Sequence, residues 1–282
     1  MAVDAILFLD NLVDETNTAA SIVSASATDN GYHKDNVRRL EWGTAWKATD
    51  SGAVNREIIL DLGSTLALGS AGATAYAVVA YDPRGSESVN IHLQDNTNDD
   101  TNFADEHGLV SFSISDFTEP QCQFQSFTIS NPAKRYYRLK LAFPDGTKKP
   151  RIFAWGMYPA TGIISISASI VGDTTGPGQL GQRVFASSIE VLTGQEVTNR
   201  VARPQQEVEI AFAPGTAALW RNIRDKLYTQ DGSARPIFAR FDGLRNSPQA
   251  DFGMVRLASA RGFRPERDQY ETSFRFITEP TS

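Results

Sequence analysis

The chain has 282 residues, with 27 Lys+Arg against 33 Asp+Glu and a formal net charge of −6. Hydrophobic residues make up 41% and charged residues 21%, the balance of an ordinary globular chain, which excludes a disordered, collagenous or heptad-repeat organisation. One cysteine, Cys122, excludes an intrachain disulfide and a cysteine-built zinc site. The longest strongly apolar stretch, Ala75 to Tyr81, falls far short of the roughly 20 residues of a membrane helix, so no membrane insertion is expected. The opening run Ala5–Leu9 has no Lys or Arg before it and reads as a strand, not a signal segment. The expectation is a protein made inside a cell and soluble.

In chain order, period-two or short apolar segments predict strands at Ala2–Leu9, Ala20–Ala27, Arg56–Leu62, Thr74–Tyr81, Ser88–Leu93, Leu109–Ile114, Phe124–Ile129, Arg135–Phe143 and Ile152–Tyr158. Turn residues separate them, among them Asn30-Gly31, Asp82-Pro83 and Asp145-Gly146. Strands so spaced, with no helix between them, predict an antiparallel sandwich or jelly roll and not βαβ units. The segment Asp95–His107 reads as an acidic, polar loop.

After Pro159-Ala160-Thr161-Gly162 the pattern restarts, with strands at Ile163–Val171, Val184–Leu192, Glu207–Phe212, Pro236–Phe241, Phe252–Ser259 and Tyr270–Ile277. One helix is predicted, Thr216 to Tyr228, because Leu219, Trp220, Ile223 and Leu227 share a face and Thr216 suits an N-cap. Gly172–Gly181 reads as an excursion between strands or a contact arm. The predicted division is therefore 1–160 and 161–282. Residues 1–160 carry a net charge of −7 and residues 161–282 a net of +1, and of the 14 bases in the second part 13 are arginine. Neither part concentrates a basic field, which argues against nucleic-acid sequence recognition. Arginine without lysine suits planar pairing at protein interfaces, and Arg240, Arg256 and Arg275, each in a predicted strand, are the candidate oligomer-interface residues.

Nothing in the sequence argues for catalysis. Gly176-Pro-Gly-Gln-Leu-Gly181 spells a dinucleotide fingerprint, but Arg183-Val-Phe185 and Ile189-Glu-Val-Leu192 beyond it read as strand and not helix, so phosphate binding is not expected. His33, His92 and His107 are not spaced as metal pairs, and the acids before His107 lack the central Gly and closing Glu of a calcium loop. No metal or cofactor is expected. The aromatics say more: Trp42 and Trp46 flank a Gly-Thr-Ala turn, close to Tyr32 and His33. An aromatic face with polar neighbours suits a sugar ring and its hydroxyls. Tyr32, His33, Trp42 and Arg84 are the candidate carbohydrate-binding residues, while Trp46 reads as a core residue.

Four stretches resemble the discoidin-like, or galactose-binding-like, jelly roll: Ala25-Ser26-Ala27, Asn36 with Trp46 ten residues on, Arg56-Glu-Ile-Ile-Leu-Asp-Leu-Gly63, and Ala133-Lys-Arg-Tyr-Tyr-Arg-Leu139. The second part is similar in layout to ring-forming domains of tailed-phage tail-tip proteins. The similarity runs through Arg203-Pro204, the helix, Arg235-Pro-Ile-Phe-Ala-Arg-Phe-Asp242, Phe252-Gly-Met-Val-Arg-Leu257 and Tyr270-Glu-Thr-Ser-Phe-Arg-Phe276. These resemblances imply a mostly β protein: a jelly-roll sandwich, then a tail-tube-like β-sandwich with one flanking α-helix. They imply a structural, non-enzymatic component of a phage distal tail or baseplate, located at the tail tip of the virion. Its expected partners are copies of itself in a ring, a hexamer first, together with neighbouring tail tube and tail-tip proteins and a host surface glycan. The alternative is a non-catalytic carbohydrate-binding protein.

Overall fold

The computed structural model describes residues 2–26, 28–40, 44–48, 55–82, 89–103, 105–112, 123–142, 151–170, 181–183, 186–190, 196–200, 205–215, 225–226, 236–242, 252–260, 264–266 and 269–278. The chain forms two compact units, Phe8–Ile163 on one side and Met1–Leu7 with Ile164–Ser282 on the other. The division differs from the predicted 1–160 and 161–282 in the placement of residues 1–7, which join the C-terminal unit. The first strand, β1 (Ala2–Phe8), is hydrogen-bonded into the sheet of the C-terminal unit. Residues 8–163 are thus an insertion between β1 and the rest of that unit.

The inserted unit is an antiparallel sandwich. Its strands are β2 (Ser21–Ala25), β3 (Trp46–Lys47), β4 (Asn55–Asp61), β5 (Ala75–Asp82), β6 (Val89–Asn96), β7 (Asp105–Phe112), β8 (Gln123–Ile129), β9 (Tyr136–Ala142) and β10 (Arg151–Pro159). One sheet runs β2-β4-β9-β6-β7 and the other β3-β10-β5-β8. Alternation does the building. Ile58 and Leu60, Ile91 and Leu93, and Tyr137, Leu139 and Leu141 point inward from the first sheet. They share a core with Ala75, Ala77, Val79, Tyr81, Phe127, Ile129, Trp155 and Met157 of the second. β10 is buried along seven consecutive residues, so it reads as a continuous apolar run and not an alternating one. The loop predicted at Asp95–His107 is shorter than expected, because β6 runs on to Asn96 and β7 begins at Asp105, with Asp95 opposite Asp105 and Gln94 opposite Glu106. Cross-strand hydrogen bonding here overrides a composition that reads as loop.

Two of the motifs behind the jelly-roll resemblance explain each other. Asp61 ends β4, and its Oδ1 accepts the Gly63 N–H at 2.7 Å. Arg135 donates to both Asp61 carboxylate oxygens, at 2.7 and 2.8 Å, tying the start of β9 to the end of β4. Gly63 sits at φ 75°, and a Cβ there would lie 2.6 Å from the Ala19 carbonyl oxygen, so only glycine fits. The Arg135 hydrogen bond, with the Gly63 N–H behind it, holds the Asp61 carboxyl below its ordinary 3.8. A carboxyl lowered in the folded state stabilises above its ordinary pKa, and that contribution is lost as pH falls through the lowered value. Asp61→Ala is expected to cost about 2 kcal/mol at neutral pH, the scale of a charge-assisted bidentate pair. The gap to the parent should narrow steadily once the pH drops below the ordinary carboxyl value. Urea titrations at pH 7 and pH 3 check this, and an equal gap at both would place the loss elsewhere.

The second unit consists of β1 with β11 (Ile163–Ile170), β12 (Gly181–Arg183), β13 (Ala186–Glu190), β14 (Glu196–Arg200), β15 (Gln205–Gly215), β16 (Ile237–Asp242), β17 (Phe252–Ala260), β18 (Arg264–Glu266) and β19 (Gln269–Thr278). Eight of them form one sheet, ordered β12-β15-β11-β1-β16-β17-β19-β18, and an additional β15–β19 pairing closes it on itself. The expected C-terminal sandwich thus takes the form of a single closed sheet. β11 and β12 pair in succession along β15, Ile170 opposite Ile210 and Gly181 opposite Glu207. The predicted excursion Gly172–Gly181 lies outside the described residues apart from Gly181 itself. β13 and β14 form a hairpin, Ala186 opposite Arg200 and Glu190 opposite Glu196. Of the predicted helix, Asp225 and Lys226 are described and helical, whereas Leu219, Trp220, Ile223 and Leu227 lie outside the described residues.

Candidate functional site

Strand registers bring one set of strand ends together. Asn55 and Asn90 both lie opposite Ala142, Val89 opposite Phe112, Tyr81 opposite Gln123, and Asp82 and Lys47 opposite Arg151. These strand ends form one end of the sandwich, a rigid scaffold of the kind that presents binding residues.

Tyr32 is placed there by a turn. Its N–H donates to the Asp29 carbonyl at 3.1 Å, across Asn30 and Gly31, the latter at φ 83°. The Asp29 N–H donates to the Lys47 carbonyl at 2.8 Å, and the Lys47 ammonium lies 3.0 Å from the Asp29 carboxylate. The Lys47 Nζ stands 5.0 Å from the centre of the Tyr32 ring and the Arg151 guanidinium carbon 5.2 Å. The result is one aromatic ring, two cationic donors and one carboxylate, all held by backbone pairing.

Of the predicted carbohydrate-binding residues, Tyr32 belongs to this cluster. His33 follows it but caps the 3₁₀ turn Lys34–Arg38, its Nδ1 accepting the Asp35 N–H at 3.3 Å, and its side chain is 68% exposed. Trp42 and Arg84 lie outside the described residues. Trp46 is a core residue, fully buried, with its indole N–H on Thr28 Oγ1 at 3.2 Å. Asn36 donates to the Ala45 carbonyl at 3.0 Å, which fixes the chain just before Trp46 and accounts for the spacing of the two. Sequence reasoning missed Lys47 and Arg151. Each is an unremarkable strand residue, and only the β3–β10 pairing of two segments far apart in sequence sets them side by side.

Other charged groups are spoken for structurally. Arg38 donates to the carbonyls of Val13, Asp14 and Asn17 at 2.8 to 3.0 Å. The Asp99 carboxylate takes N–H groups of Asn102 and Thr101 and the Thr101 hydroxyl, which hold its pKa down to about 2. Among the described residues no group of three His, Cys, Asp or Glu side chains is arranged to hold a metal ion, and no helix is long and apolar enough to cross a membrane.

The candidate interface arginines occupy interior strands of the closed sheet. Arg240 is on β16 opposite Phe252, Arg256 on β17 opposite Ile277, and Arg275 on β19 opposite Glu209 of β15. On β16 the neighbours Ile237, Phe238 and Ala239 are all buried and Arg240 is half-buried.

No family model matches the chain. No curated protein matches it either. Among solved structures it is similar to chitosan-binding module 1 of a chitosanase/glucanase from Paenibacillus sp. IK-5, at 16% identity and a TM-score of 0.38, over 53% of this chain and 98% of that one. A family 32 carbohydrate-binding module from C. perfringens, in complex with galactose, is matched at 12% identity and a TM-score of 0.37, over 54% and 98%. A further Clostridium perfringens module, in complex with GalNAc-β-1,3-galactose, is matched at 12% identity and a TM-score of 0.34, over 50% and 95%.

Proposed function

We propose that the Phe8–Ile163 sandwich is a non-catalytic glycan-binding module, carried as an insertion by a closed β-sheet unit. The observation that supports this is the cluster of Tyr32, Lys47, Arg151 and Asp29 at one end of the sandwich. A saccharide offers hydroxyls that both donate and accept, together with an apolar ring face. An aromatic ring flanked by cationic donors and a carboxylate acceptor answers both needs. The carbohydrate-binding alternative therefore stands ahead of the tail-tip role. The test is a glycan array with the full chain, followed by calorimetry on the hits. Tyr32→Ala is expected to weaken binding at least tenfold, with the melting temperature held. Absence of any saccharide binding overturns the reading.

A second reading keeps the tail-tip role for the C-terminal unit, with copies of the chain assembled into a ring beside tail tube proteins in a virion. It is favoured by one observation. Among the described residues the β13–β14 hairpin pairs only with itself. An isolated two-stranded ribbon is marginal in water, and its open edges are templates for strand addition by another chain. Native mass spectrometry decides it: a ring of six or three copies supports assembly, and a monomer at all concentrations removes it.

A further inference from the structure

We infer that the saccharide taken by this site is an acidic one, bearing a carboxylate or sulfate, and that Arg151 reads its charge. The inference rests on the glycan-binding reading and adds the ligand class. Lys47 and Arg151 are register partners on an antiparallel strand pair, so their side chains leave the same face of the sheet. Like charges directly opposite each other repel, and such a pair needs compensation. Lys47 has it: its ammonium is paired with Asp29 at 3.0 Å, and the two side chains are only 15% and 28% exposed. Both cations also lean on the Tyr32 ring, whose quadrupole offsets part of their charge.

Arg151 has less. Its residue is half-buried, its Nε is buried without a hydrogen-bond partner, and among the described residues no carboxylate is paired with it. A guanidinium held on an aromatic face still directs its N–H donors in its own plane, and that fork matches a carboxylate or sulfate better than an isolated hydroxyl. Among the described residues, the titratable groups near it also include His33 and Asp35 on the capped turn, and Asp82, which takes the register position opposite Arg151 on β5. Residues 8–163 hold 13 basic and 19 acidic side chains, a net charge of −6, so an anionic ligand must be recognised locally, against the field of the unit.

The experiment compares the full chain with Arg151→Gln, Arg151→Lys and Asp82→Asn. Each is titrated by calorimetry with a uronic-acid oligosaccharide, a sulfated one, a neutral one of equal length, and inorganic sulfate. The parent is expected to bind an acidic saccharide at least tenfold more tightly than the neutral one. Arg151→Gln should bring that ratio close to one, with acidic binding falling much further than neutral binding and the melting temperature held. Arg151→Lys should recover part of the ratio, and Asp82→Asn should not lower it. An unchanged ratio in Arg151→Gln, or a loss in Asp82→Asn alone, overturns the assignment to Arg151. Neutral binding without an acidic preference sinks this inference and leaves the module reading standing. No saccharide binding at all removes both, and inorganic sulfate bound as tightly as the sulfated sugar replaces a saccharide site with a simple anion site.

Discussion

A polypeptide of residues 164–282 is expected to remain unfolded, whereas residues 8–163 are expected to fold alone. In the C-terminal unit β1 lies between β11 and β16, in the interior of the sheet order. Without it, two neighbouring strands each lose a full edge of hydrogen bonds, and the closure through β15 and β19 fails for want of a strand. Unpaired backbone groups in a buried sheet are among the costliest defects a fold can carry. The insertion is different, because its two ends meet. The Leu9 N–H donates to the Gly162 carbonyl at 2.7 Å, and a Cβ on Gly162 would run into the Leu9 carbonyl oxygen. Chain ends that lie together make an insertion separable. Residues 1–7 joined by a short flexible linker to 164–282 should therefore restore the closed sheet. Circular dichroism and amide dispersion of the three polypeptides check this. A cooperatively folded 164–282 fragment would show that β1 is dispensable.

Trp46→Ala is expected to cost about 3–5 kcal/mol, as for a fully buried aromatic removed from a packed core. For a unit of this size that corresponds to a fall in melting temperature on the order of 10 °C. Trp46 is fully buried among the core residues of the sandwich, and its indole N–H is satisfied by Thr28. Its strand is only two residues long, so little else holds β3 against β10. Truncation would leave a cavity and break the indole–Thr28 hydrogen bond at once. Trp46→Phe should recover most of the loss, since it refills volume without the N–H. A shift of a degree or less in Trp46→Ala would mean that the neighbouring chain collapses into the space at no cost.

Most strands were legible in the sequence because alternation is local. Ile58 and Leu60, or Tyr137, Leu139 and Leu141, announce an inward face whatever they pack against. Trp46 was legible as a core residue from its bulk and apolar character alone, and the turn that carries Tyr32 was marked by Asn30-Gly31. Short strands such as β3, β14 and β18 escaped, since two to five residues carry too little period to stand out.

Local pattern therefore establishes that the chain alternates into strands, and where most of them lie. The sheet that each strand joins is a matter of packing between distant segments. β1 looks like the opening strand of the sandwich beside it in sequence, and its short apolar run would serve either unit equally, because strand pairing is set by partners far along the chain. The same physics hid Lys47 and Arg151. A strand residue acquires a neighbour only when another segment is laid against it, and neither Trp46-Lys47 nor Arg151-Ile152 contains any sign of the other.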